Sequence, residues 1–125
     1  MFGKKTNELL LNQSGRSFVS ETMQVEGDMF CKGAVDIAGL VNGDVHVGEI
    51  NIMDTGSVIG DLTVRKIEIH GHVEGKIVAD TVYLGSNAMI KGDLMFKTSL
   101  KTDEGAEING YISKDKKGEQ AKEDI

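Results

Sequence analysis

The chain has 125 residues, with 16 Gly, one Cys, no Pro and no Trp, and a formal net charge of −6. A single Cys excludes an internal disulfide framework, and no apolar run approaches the ~18 residues of a membrane span. Residues 1–17 carry net +2, residues 18–112 net −8 and residues 113–125 net zero; so acidic a body argues against nucleic acid as its partner.

In chain order, residues 1–17 form a leader. It opens Met1-Phe2-Gly3-Lys4-Lys5, and its apolar run is only Leu9-Leu10-Leu11. That run is far too short for the core of a secretory signal, so the expected compartment is the cytoplasm. The Asn7–Asn12 stretch reads as a short capping turn or as a docking element. Phe18, Val19 and Met23 then precede a phrase that recurs six times. It reads Val25-Glu-Gly-Asp-Met29, Val41-Asn-Gly-Asp-Val45, Val58-Ile-Gly-Asp-Leu62, Val73-Glu-Gly-Lys-Ile77, Ile90-Lys-Gly-Asp-Leu94 and Ile108-Asn-Gly-Tyr-Ile112. Its glycines, at 27, 43, 60, 75, 92 and 110, are 15 to 18 residues apart. A period this short matches no helical repeat, and it fits one coil of a β-helix whose core exists only in the stack.

Six residues beyond each opening apolar position stands another inward candidate: Cys31, Val47, Val64, Ala79 and Phe96. Pairs spaced by two, the strand period, follow as Val35/Ile37, Ile50/Ile52, Ile67/Ile69 and Val82/Leu84. The spacing predicts three short strands per coil, two sides of fixed length and a third that absorbs the variation. The third segment holds Gly39, Gly56, Gly71, Gly85 and Gly105 with nearby Asp, Asn and Ser, which suit a sharp corner. The expected fold is an all-β triangular β-helix of about six coils over residues 18–112. At ~4.8 Å per coil the rod is roughly 25–30 Å long. The absence of Pro suits stacked ladders, since each Pro removes a donor. Cys31 is expected to be a buried, inert thiol. Residues 113–125, nearly devoid of apolar side chains, read as a disordered, solvated tail.

The V-x-G-D-[LIV] phrase in coils of 15–18 residues, between two short tails, resembles the bactofilins, bacterial cytoskeletal proteins. The opening Met1-Phe2 followed by Lys4 and Lys5 is similar to the tail that targets many of them to the inner face of the cytoplasmic membrane. The resemblance implies a right-handed helix. It implies end-to-end self-assembly into nonpolar filaments without nucleotide or other cofactor. It also implies partners among cell-wall synthases or peptidoglycan hydrolases, and a role in cell shape. In the family an aromatic residue of the terminal coil supports the end contact, and Ile108 occupies the comparable position. Open ladders at the ends of a β-helix independently invite another chain. The expected contact residues are Ile108, Tyr111 and Ile112 at one end and Phe18, Val19 and Met23 at the other.

No catalytic, cofactor or metal site is predicted. Asp28, Asp44, Asp61, Lys76, Asp93 and Tyr111 should form one column, with each Asp bonded beside its own Gly bend. His70 and His72 flank Gly71 at a corner and read as solvent-exposed, as does His46. Gly75-Lys76 lacks the upstream Gly and following Ser/Thr of a phosphate loop. Two rival readings stand beside the filament. One is a left-handed hexapeptide acyltransferase trimer, which needs three sides of six residues. The other is a β-helical adaptor that does not polymerise.

Overall fold

The computed structural model describes residues 16–114. Thirteen strands follow in order: β1 (Arg16–Val19), β2 (Gln24–Glu26), β3 (Met29–Ile37), β4 (Leu40–Asn42), β5 (Val45–Ile52), β6 (Ser57–Ile59), β7 (Leu62–Ile69), β8 (His72–Glu74), β9 (Ile77–Leu84), β10 (Met89–Lys91), β11 (Leu94–Thr102), β12 (Glu107–Asn109) and β13 (Ile112–Lys114). The short even strands stack as a six-stranded sheet, and the odd strands as a seven-stranded one, every pairing parallel. The chain is thus a β-solenoid of six coils, each lying on the one before. The phrase strands form side one. Each long odd strand bends near its middle to supply sides two and three.

The apolar spacing maps onto inward columns. Val41, Val58, Val73 and Ile90 are fully buried, as are Val45, Leu62, Ile77 and Leu94 in the next column and Ile37, Ile52, Ile69 and Leu84 in the last. Between them Val35, Ile50, Ile67 and Val82 are at most 2% exposed. Strand alternation accounts for this, because successive side chains leave opposite faces of a sheet.

The corner after side one depends on glycine. Gly43, Gly60, Gly75, Gly92 and Gly110 all have positive φ, and a Cβ on any of them would overlap the carbonyl of the phrase glycine one coil earlier. The Asp column sits beside this stack, with one difference from expectation. The Asp28, Asp44 and Asp61 carboxylates accept the backbone N–H groups of Asp44, Asp61 and Lys76, at 3.2, 3.3 and 3.2 Å. Each Asp therefore ties its coil to the next rather than to its own bend.

The expectation of two fixed sides holds only for side one. Along side two, six residues separate Cys31 from Ile37 and Phe96 from Thr102, whereas five separate Val47 from Ile52, the register positions being equivalent. The additional residue sits at the outer corner, Lys32-Gly33 and Lys97-Thr98, where the pairing shifts. Corner residues face outward, so an insertion there leaves the inward columns intact.

Ile67→Ala should lower stability by about 2–5 kcal/mol through its cavity, and Glu68→Ala by well under ~1 kcal/mol, since it only removes a partly exposed carboxylate from beside His70. Thermal melts compare the two. Equal losses would contradict the register.

Candidate polymerisation interface

Among the described residues, the solenoid ends half a coil out of step at each end. At the N-terminal end β1 covers only the Ala34–Ile37 half of β3, leaving Met29–Cys31 and β2 as open edges. At the C-terminal end β13 covers only Leu94–Phe96, leaving the Ser99–Thr102 half of β11 and β12 open. Each phrase glycine from Gly27 to Gly92 donates its N–H to the next coil, as do Met29, Val45, Leu62, Ile77 and Leu94. Gly110 and Ile112 occupy the same positions, and no coil follows them among the described residues. The matching acceptors, the carbonyls of Glu26 and Asp28, face the opposite end.

The side chains repeat this pattern. Columns that are fully buried in mid-rod end in residues that are not. Val25, Met29 and Cys31 are half-buried at one end, and Phe96, Leu100, Ala106 and Ile108 at the other, with Ile112 46% exposed. Nothing in sequence composition marks these residues; their rank, first or last in a column, does. Cys31, expected to be buried, is half-buried because no strand among the described residues stacks before it.

The sequence-predicted contact residues fall into three groups. Ile108 and Ile112 close inward columns at the C-terminal end, and Met23, 47% exposed, lies on the turn after β1. Val19 is buried against the core, so it offers only the backbone edge of β1. Phe18 and Tyr111 are exposed on the flank instead: Phe18 pairs with outward-facing Asp36, and Tyr111 tops the Asp column. Met1, Phe2, Lys4 and Lys5, with the Asn7–Asn12 stretch and most of the C-terminal tail, lie outside the described residues.

The end strand β1 is clipped on by one ion pair. The Arg16 guanidinium donates Nη2–H and Nε–H to the two Asp36 carboxylate oxygens, at 2.7 and 2.9 Å. These bonds hold the Asp36 carboxyl below the usual carboxylate range; partial burial opposes the shift, and the Arg16 charge and Asn51 reinforce it. A depressed carboxyl stabilises the fold above its ordinary pKa, and that contribution fades as pH falls through the lowered value.

The histidines do not assemble a site. His70 Nε2 is 2.7 Å from Glu68 and His72 Nε2 is 3.9 Å from Glu74, each imidazole turned to a separate carboxylate, while His46 stacks on Phe30. Gly75-Lys76 is one of the six equivalent corners.

A solenoid with unpaired ladders and half-buried apolar side chains at both ends is the architecture of a self-assembling structural protein. A bactofilin family model, described as polymer-forming cytoskeletal, matches residues 17–113. The chain belongs to the bactofilin family. It is 29% identical over 101 residues to bactofilin BacO of Myxococcus xanthus strain DK1622, covering 79% of each protein. The solid-state NMR structure of the cytoskeletal bactofilin BacA is similar with a TM-score of 0.73 at 32% identity, over 79% of this chain and 95% of that one. A cryo-EM reconstruction of Thermus thermophilus bactofilin double helical filaments is similar with a TM-score of 0.67 at 30% identity, over 78% and 96%.

Ile108→Arg would place an unpaired charge in any contact that covers this end, costing several kcal/mol of assembly energy. The coil beneath should lose only about 1 kcal/mol, since Ile108 is already part-exposed. Sedimentation with circular dichroism is the check. A folded Ile108→Arg protein that pellets like the parent would show that the C-terminal contact lies elsewhere.

Proposed function

We propose that this chain is a cytoskeletal scaffold that assembles end to end, without nucleotide, into nonpolar filaments on the inner face of the cytoplasmic membrane, where they organise cell-wall synthases or peptidoglycan hydrolases and so shape the cell. The observation that carries the assembly reading is the pair of open, apolar ends. Covering them satisfies backbone groups and removes apolar area from water together. The uneven corner lengths count against an acyltransferase, whose coils keep six residues on every side.

Nonpolar order follows the family resemblance. The backbone admits one rival: each end is the edge of a parallel ladder that presents both N–H and C=O groups, and a head-to-tail stack would continue that ladder. Cys31 distinguishes the two. Contact between N-terminal ends sets two copies of Cys31 close together, and oxidation links them; a head-to-tail stack keeps them apart.

The membrane part of the proposal rests on the leader. Phe2 would contribute roughly 1.5–3 kcal/mol on burying its ring, and Lys4 and Lys5 about 1 kcal/mol each near anionic lipid. About 4 kcal/mol corresponds to only millimolar affinity for one tail. A filament displays many tails, and avidity turns weak contacts into stable attachment. In liposome co-sedimentation the parent should bind, and Phe2→Ala and Ile108→Arg should each lose most binding. Undiminished binding by Phe2→Ala would remove the leader from the mechanism. Undiminished binding by a monomeric Ile108→Arg would remove avidity.

A further inference from the structure

Side two of the rod carries an order that neither the core nor the ends require. Its outward face is one residue wide. In successive coils it presents Phe30, His46, Thr63, Val78 and Met95, paired in register. Phe30 is 73% exposed, and its ring stacks on His46 at 5.1 Å and 7°. Val78 and Met95, both apolar, also face outward and are only partly covered.

Two margins of charge border this stripe. One margin is the Asp column; the other is the corner four residues later in the same coil. Read across, the levels are Asp28 with Lys32, Asp44 with Gly48, Asp61 with Arg65, Lys76 with Asp80, and Asp93 with Lys97. At the fourth level both signs reverse together. Within one rod the two residues of a level lie about 13 Å apart along the strand, at ~3.3 Å per residue, beyond the screening length of ~8–10 Å. No ion pair joins them among the described residues; Lys97 instead reaches Asp80 one coil below, at 3.9 Å. Vertical neighbours explain a sign change within either margin alone. They do not explain why both margins change at the same coil.

We propose that side two is a lateral contact face, which pairs with side two of a second copy running in the same direction and in register. A two-fold axis parallel to the rod sets the Asp margin of each copy against the opposite margin of the other at the same level. Asp28 then meets Lys32, Asp61 meets Arg65, Lys76 meets Asp80 and Asp93 meets Lys97, each twice. A slip of one coil sets Asp61 on Asp80 and Lys76 on Lys97 along one seam, and Lys76 on Arg65 and Asp93 on Asp80 along the other. Antiparallel pairing brings the Asp margins together. Among arrangements that overlap more than two levels, only the in-register parallel one is free of like-charge contacts, so it fixes both orientation and register. The patch, about 24 by 13 Å by strand and coil spacings, is smaller than a stand-alone dimer needs. It acts when repeated along a filament, and it uses the flank rather than the ends, beyond the end-to-end reading.

The test is oxidative cross-linking of the full chain carrying Cys31→Ser and Thr63→Cys, since Thr63 lies on the proposed axis. Assembled protein should give covalent dimers, and Asn42→Cys on side one, also exposed, should give few. Arg65→Glu should lower the dimer yield about tenfold through like-charge contact with Asp61, with filaments still visible by electron microscopy. Adding Asp61→Lys should restore it, a Lys being native to that column at Lys76. Equal cross-linking at Thr63→Cys and Asn42→Cys, an unchanged yield in Arg65→Glu, or no rescue by Asp61→Lys would overturn the proposal. So would loss of filaments in Arg65→Glu. If Ile108→Arg still forms filaments, the end assignment falls while the Thr63→Cys cross-link continues to report on the flank.

Discussion

The structure depends on a stack of glycines. Each coil turns from side one to side two at a residue of positive φ, backed against the carbonyl of its counterpart one coil earlier. A side chain there would fail twice, by backbone strain and by overlap with main chain that cannot move aside. With glycine in place the coils approach to ladder distance, and the Asp carboxylates supply acceptors for the N–H groups of the following corner. Tight stacking then closes the inward columns, where four successive coils reach full burial.

The same rule that builds the rod leaves it unfinished. A ladder growing by identical steps has no internal reason to stop, and its last step resembles every other in backbone and side chain. Val25 and Ile108 differ from Val58 in having one neighbour instead of two. End-to-end assembly, as proposed, would use the interaction that folds the chain, its strength resting on how well a second copy replaces the missing coil. The flank differs in kind. Beyond the hydrogen bonds of Asp28, Asp44 and Asp61 to the next corner, the charges on the two margins of side two are exposed and far apart and contribute little to the fold. The ends offer apolar area and unpaired backbone; in the proposed lateral pairing the flank would supply orientation.

The rod was largely legible in the sequence because inward residues repeat. Val41, Val58, Val73 and Ile90 declare side one, and pairs such as Ile67/Ile69 declare side three. Outward features repeat weakly or not at all. The variation expected in the third segment is present, four residues from Ile37 to Val41 and six from Ile52 to Val58; the additional residues at Lys32-Gly33 and Lys97-Thr98 carry no apolar signal, so that second source of variation was not legible. The half-coil stagger depends on where β1 pairs, and a four-residue strand beginning at Arg16 has no phrase to announce it. That stagger turns Phe18 outward, buries Val19 and half-exposes Cys31. At the C-terminal end Ile108, Tyr111 and Ile112 were all named because they belong to the last coil; strand alternation then sets Ile108 and Ile112 at the ends of inward columns and Tyr111 on the flank.

The central claim is that polymerisation covers the unfinished ends. Amide hydrogen exchange on the parent filament and on the Ile108→Arg monomer tests it residue by residue. The account predicts that the Gly110 and Ile112 amides exchange freely in the monomer and become strongly protected in the filament, while amides of Ile50 to Ile69 are protected in both. Filaments whose Gly110 and Ile112 amides exchange as fast as in the monomer would contradict it.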